Sequence, residues 1–203
     1  MDQWKITITR ELNEEQKREA ARLYADAFWL KLRHLWLFPS TREEAVEVIV
    51  HALDVSKGFY TLDDTGRLLG FVGLETGREY FVNLSWSSLR KVYGILSALW
   101  RLPAYWGFRL FHGGYPQEML HIDAIVVSGE AQGMGIGTRL LEAVFLEAQN
   151  RSLKTTSLEV VDTNPKAKNL YERLGFRVVR QERYGVLTRK AGFGGVVFME
   201  KSL

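Results

Sequence analysis

The sequence predicts an α/β (α+β) chain built on a central sheet, and two stretches carry that prediction. From Leu120 to Leu141 an apolar, β-branched run, Ile122-Asp123-Ala124-Ile125-Val126-Val127, leads through a glycine-rich loop into residues with helical spacing. After that helix, Thr155-Thr156-Ser157-Leu158-Glu159-Val160-Val161 is a second β-rich run. Strand, helix and strand at this spacing make a right-handed parallel crossover, which sets the glycine loop at a carboxyl end of the sheet. At 203 residues and 46% apolar, the chain suits one domain, 1–203, with room for a long insertion.

The remaining elements follow in order. Lys5 to Thr9, within WKITIT, alternates as a first strand. Asn13 caps a helix from Glu14, whose acidic first turn suits the positive helix end. Leu23, Ala27, Leu30 and Leu37 extend that helix to about Phe38, where Pro39 stops it. Ser40 opens a second helix, with Glu43 completing a capping box and Val46, Ile49, Val50 and Leu53 as its buried stripe. Phe59–Leu62, the turn Asp63-Asp64-Thr65-Gly66, and Leu68–Leu74 read as a hairpin. Pro165 at a first helical position, capped by Asn164, starts a late helix that Gly175 ends. Phe176–Val179 and Gly194–Glu200 finish as strands.

Residues from about 80 to 117 stand apart. They hold no Asp or Glu, carry Arg90, Lys91, Arg101 and Arg109, and are dense in aromatics such as Trp86, Tyr93, Trp100, Tyr105, Trp106, Phe108 and Phe111. Leu89, Val92, Leu96 and Leu99 predict a helix over about Ser87–Arg101, ended by Pro103. Three readings of this insertion stand side by side: an element packed on the body or on a subunit partner, a lid over a pocket, or a membrane-surface contact through residues 86–111. Charges at Lys91 and Arg101 exclude a spanning helix.

The loop Gln132-Gly133-Met134-Gly135-Ile136-Gly137 gathers backbone N–H groups at a helix start, where phosphate oxygens bind readily. A hydrogen bond to a charged acceptor contributes about 1.5–3 kcal/mol. Three would supply about half or more of the roughly 8 kcal/mol behind a micromolar ligand. The nucleotide P-loop is excluded, because Thr138 and Arg139 follow Gly137 where Lys and Ser/Thr are required. The dinucleotide fingerprint also fails: an acidic residue lies downstream (Glu159 or Asp162), but the third glycine is misplaced. The plain alternative is a glycine-rich turn that simply joins strand to helix.

What remains is Gln-x-x-Gly-x-Gly, on Gln132, Gly135 and Gly137, which resembles the pyrophosphate loop of the GNAT superfamily of acyl-CoA-dependent N-acetyltransferases. A second motif, Asn164, Ala167, Leu170, Tyr171, Gly175 and Phe176, is similar to the C-terminal cofactor motif of the same enzymes. The two occur in the right order, joined by a helix and a strand. The resemblance implies a mixed, mostly antiparallel sheet of about six to seven strands flanked by helices, with a parallel, splayed strand pair at the cofactor site. It also implies direct transfer of an acetyl group from acetyl-CoA to a primary amine. Backbone N–H groups of Gly133, Met134, Gly135, Ile136, Gly137 and Thr138, beside Gln132, would hold the pyrophosphate. Main-chain groups of Ile125, Val126 and Val127 would pair with the pantetheine arm, an N–H near Val127 polarising the thioester.

Tyr171 then becomes the candidate general acid for the departing thiolate, since a phenol of pKa ~10 is protonated at neutral pH; the plainer alternative is a core tyrosine packed beside leucines. Asn164 and Ala167 would lie along the cofactor arm, and Asn164 serves as a helix cap in either case. His121 and Asp123 share one face of the central strand. His121 occupies the position where several family members place a catalytic glutamate. The pair offers a base with its orienter, or a polar pair satisfied within the sheet; base catalysis through water is the further alternative. Two rival classes are a non-catalytic acyl-CoA-binding module and a docking scaffold using the insertion.

Composition narrows the chemistry. There is no cysteine, which removes disulfides, thiolate metal ligands and a thiol nucleophile. The net charge, 27 − 24 = +3, is too mild to argue for nucleic acid. His34, His51, His112 and His121 show no metal-ligand spacing, so no metal is expected. Without a basic-then-apolar leader or a long apolar run, cytoplasm is the expected location. Homodimers are frequent among such enzymes, and one is an open expectation here. The acceptor amine is not legible.

Overall fold

A computed structural model describes residues 6–112 and 114–203. Its first strand, β1, is Thr7–Thr9; the predicted start at Trp4 and Lys5 lies outside the described residues. Asn13 caps α1 (Glu14–Ala27) in a capping box with Gln16, as its side-chain chemistry favours. The helix does not run unbroken to Phe38. It breaks at Phe28, then continues as a helical turn at Trp29–Lys31 and a π-helical turn at Leu32–Trp36. The wider π-turn carries Trp36 inward to a ring contact with Tyr105 at 5.7 Å. The next helix, α2 (Arg42–Ala52), is capped by Thr41 rather than Ser40, because the Thr41 hydroxyl accepts from the Glu44 N–H while the Ser40 N–H donates to the Glu44 carboxylate.

The hairpin forms as β2 (Gly58–Leu62) and β3 (Leu68–Glu75). After it comes α3 (Trp86–His112), which differs from the prediction at both of its special residues. Its break is at Gly94, in left-handed backbone at φ 76°, and the helix passes through Pro103 to His112. Tertiary contacts hold the turns around that proline. The buried Arg101 guanidinium donates to the Leu37 and Phe38 carbonyls at 3.0 and 2.9 Å, and the Tyr105 hydroxyl donates to the Val82 carbonyl at 3.0 Å. Two of the cations read as a basic surface, Arg101 and Arg109, thus point into the body. Side chains of Phe111 and His112, with Gly113, lie outside the described residues.

The second half of the chain runs β4 (Met119–Val127), α4 (Ile136–Asn150), β5 (Thr155–Val161), α5 (Pro165–Arg173), β6 (Arg177–Arg183) and β7 (Gly195–Ser202). The sheet order is β1-β2-β3-β4-β5-β7-β6. Every neighbouring pair is antiparallel except β4 and β5. One face is covered by α1, α2 and α3, where Tyr24, Ile49, Phe71, Phe81 and Val126 are buried together. The other is covered by α4 and α5, over Val72, Ile122, Leu140, Leu158 and Phe176. Among the described residues, no helix is long and apolar enough to cross a membrane, and no group of three or more metal-ligating side chains occurs.

Two irregularities position the site. Parallel pairing of β4 with β5 runs only from Met119↔Thr155 to Ile122↔Leu158, so the strands part beyond it. The register of β4 against β3 steps from Leu74↔Ile122 to Gly73↔Ala124, leaving Asp123 as an extra residue in a bulge.

Candidate active site

Between the parted strands lies a cavity of about 200 Å³ that reaches both faces of the sheet. On the α5 side it is lined by Ile125, Val160, Asn164, Ala167 and Tyr171. On the α1–α3 side it is lined by Tyr24, Trp36, Arg109, His121 and Asp123 among others. The two groups of sequence-predicted residues therefore meet in one opening.

The loop behaves as its glycines require. Gly133 and Gly135 adopt φ 83° and 76°, left-handed backbone that a side chain disfavours, and α4 begins directly after Gly135. As at any helix start, the first N–H groups have no intrahelical partner. Those of Gly135, Ile136, Gly137 and Thr138 have no partner among the described residues. The Met134 N–H is the exception to the predicted set, because it turns back to the Ala131 carbonyl at 3.4 Å. Gly137 packs close to α5, since a Cβ there would meet Leu170 at 3.6 Å. Gln132 is exposed at the mouth of the loop.

From Asp123 onward, the edge of β4 that faces β5 is unpaired with it, while Ile125, Val126 and Val127 stay in register with β3. Across the opening, Asn164 caps α5 by accepting from the Ala167 N–H at 3.1 Å. Tyr171 is 6% exposed, and its hydroxyl has no partner among the described residues. Burial pushes its phenol up to about 12, so it is protonated at neutral pH.

Behind the opening sits a polar cluster. Glu75 of β3 lies opposite His121, and Arg109 of α3 grips its carboxylate twice, at 3.0 and 3.3 Å. Burial and the neighbouring Asp123 push Glu75 up to about 8, against the pull of Arg109. Burial likewise raises Asp123, whose Oδ2 is buried without a partner among the described residues. The His121 ring is sandwiched between Ser157, whose hydroxyl lies 2.9 Å from Nδ1, and the parallel ring of Tyr115 at 3.5 Å. Burial and Arg109 hold the imidazole down to about 3, so it is neutral and weakly basic. Tyr115 in turn donates to Glu159 of β5 at 3.2 Å.

Sequence reading found His121 and Asp123 but missed Glu75, Arg109, Tyr115 and Glu159. A carboxylate within or directly after each of three β-rich runs (Asp123 and Glu159 within, Glu75 after) was the available signal. Arg109 carried none, because its direction depends on how α3 packs.

The model of the acetyltransferase (GNAT) family matches residues 21–176, most of the chain and both cofactor motifs. The chain belongs to the GNAT family. It is an acyltransferase by that membership, and GNAT acetyltransferases use acetyl-CoA as donor. Among solved structures, a GCN5-related N-acetyltransferase from Kribbella flavida is similar at 16% identity and a TM-score of 0.60, over 98% of each chain. Ard1 from Thermoplasma volcanium is similar at 14% identity and a TM-score of 0.59, over 98% of this chain and 97% of its own. At these identities the likeness concerns the fold, a mixed sheet with the parallel β4–β5 pair. The chain spans 64% of nourseothricin acetyltransferase, which it matches at 20% identity over 71% of its own length with a TM-score of 0.48.

Proposed function

We propose that this GNAT protein, as one domain, transfers an acetyl group from acetyl-CoA directly to a primary amine. One observation supports the reading above the rest: β4 and β5 separate beyond Ile122 and Leu158, and Ile125, Asn164, Ala167 and Tyr171 line the opening. In this reading the N–H groups of Gly133 and Gly135 to Thr138 hold the pyrophosphate, with Gln132 beside them. The free edge at Ile125 to Val127 pairs with the pantetheine arm as an added strand would, and Asn164 and Ala167 flank it.

Asp123 is the base. Its buried Oδ2 has no partner among the described residues, it lines the opening, and its raised basicity suits a proton acceptor. His121 is too weakly basic for that role and instead positions Tyr115 and Ser157. The acceptor arrives as an ammonium and gives one proton to Asp123. Its nitrogen attacks the thioester carbonyl, the new N–C bond forms, and the C–S bond breaks. Tyr171 protonates the leaving thiolate, and the second proton shed by nitrogen restores the phenol. Asp123 returns its proton to water, so amide, CoA thiol and one proton leave.

Calorimetry and turnover test this together. Gly135→Glu places a carboxylate and a strained φ where the diphosphate would sit, so CoA binding should vanish. Tyr171→Phe should keep CoA affinity and lose about 100-fold or more in turnover. Normal CoA affinity in the first variant, or normal turnover in the second, refutes the corresponding assignment.

A second, separate reading concerns α3. Its outer face exposes Leu96 and Leu110 at 83% and 84%, with Leu99, Trp100 and Trp106 between them. That ridge favours a contact with a membrane surface or a second copy of the chain.

A further inference from the structure

On the α1–α3 side of the sheet, the cavity forms a chamber walled by Tyr24, Phe28, Trp36, Tyr105 and Phe108. We propose that this chamber accepts a compact arylalkylamine: a primary amine with one positive charge and an aromatic body, its nitrogen docked on Asp123. The assignment rests on the acetyltransferase reading above and names its acceptor class.

Charge is the first argument. Asp123 and Glu159 line the chamber with Glu75 behind them, and two of these three carboxylates are already matched. Glu75 is held twice by Arg109, and Glu159 accepts the Tyr115 hydroxyl and is the carboxylate acting most strongly on Lys31. Only Asp123 keeps a buried oxygen without a partner among the described residues. A buried, unmatched carboxylate is costly, and a single cation relieves that cost. A monocation at Asp123 supplies the partner its buried oxygen lacks. An amino acid would bring a further carboxylate, and a diamine would bring an ammonium that finds no second open carboxylate.

Shape is the second. A volume of about 200 Å³, shared with the thioester end, is smaller than the roughly 300–1,000 Å³ of pockets for drug-sized ligands. Polypeptide does not fit without opening α3, whose Tyr105, Phe108 and Arg109 form the roof. Aromatic rings cluster in the walls: Trp36 stacks near Phe108 at 6.2 Å, and Tyr24 lies against Phe28 at 4.7 Å. Such walls favour an aromatic body over an aliphatic one. Acetylation then removes the charge that held the amine, which promotes product release.

The test compares kcat/KM for 2-phenylethylamine, 1,5-diaminopentane, L-phenylalanine and a lysine-containing peptide, by release of CoA thiol. The expected result is a lead of tenfold or more for 2-phenylethylamine; any other acceptor level with it or ahead overturns the assignment. Calorimetry with CoA alone separates the two readings. If CoA binds and 2-phenylethylamine trails, the transferase stands and the arylalkylamine falls. If CoA does not bind, the transferase reading falls, and titration of 2-phenylethylamine against 2-phenylethanol still decides the chamber. Wild type should prefer the amine by tenfold or more, and Asp123→Asn should abolish that preference while still binding the alcohol. Equal binding of amine and alcohol by wild type overturns the proposal.

Discussion

His121 shows how burial overrides residue type. From sequence it is an ordinary imidazole near pKa ~6.5, a natural base. Stacked on Tyr115 and enclosed beside Arg109, its charged form is penalised until about pH 3. An unfolded chain takes up that proton near ~6.5, whereas the folded one does so near 3. Acidification through this window therefore favours unfolding, and stability contributed by the neutral imidazole is lost as pH falls. Thermal midpoints of wild type and His121→Asn, measured from pH 7.5 to 4, isolate the effect. The wild-type curve should fall more steeply below pH 6.5, while an acid limb of activity, if Asp123 is the base as proposed, should persist in the variant. Parallel stability curves would mean that the imidazole titrates normally.

At the scale of elements, most of the framework was legible because caps, turns and periodicity are local signals. The Asn13 cap, the hairpin turning at Asp63, and Asn164 with Pro165 each formed as their side chains dictate. Departures occurred where a distant contact decides. Phe28 breaks α1 so that Trp36 can reach Tyr105, and the turns around Pro103 stay helical because Arg101 and Tyr105 are anchored elsewhere. Gly73 is a local choice with a tertiary cause. A Cβ there would lie 2.1 Å from the Phe81 ring, which is fully buried against the sheet. Gly73→Ala should thus destabilise by about 1–3 kcal/mol through overpacking, read as a lowered denaturant midpoint with the slope unchanged. A midpoint equal to wild type would show that Phe81 yields without cost.

Over the whole molecule, the candidate site lies on a seam. The strands before and after it join only through Met119–Ile122 against Thr155–Leu158, and the rest of that boundary is open. A ligand bridging the open part adds stability to both halves at once. CoA at about 100 times its Kd should contribute about 2.7 kcal/mol. For a chain of this size that raises Tm by about 5–10 °C. The Gly135→Glu protein should show no such rise, and an equal rise in both would place CoA elsewhere. The exposed ridge of α3 belongs to this scale as well. Vesicles carrying anionic lipid should sediment wild type but spare a Leu96→Glu, Leu110→Glu protein. Sedimentation of neither, with a concentration-dependent dimer lost in the double variant, would assign the ridge to a second copy. A monomer indifferent to vesicles would leave it no partner of either kind. None of this was legible from composition, because burial of Arg101 and Arg109 converts a seemingly basic segment into an apolar ridge.

The extra residue at Asp123 reaches further than its own bond angles. Ahead of it, Leu120 and Ile122 face α4, whereas past it Ala124 and Val126 face the opposite helices. One inserted position has reversed the parity of the strand. Odd and even positions of β4 thereby exchange faces at Asp123, so Ile125 and Val127 join the side that Leu120 and Ile122 occupy.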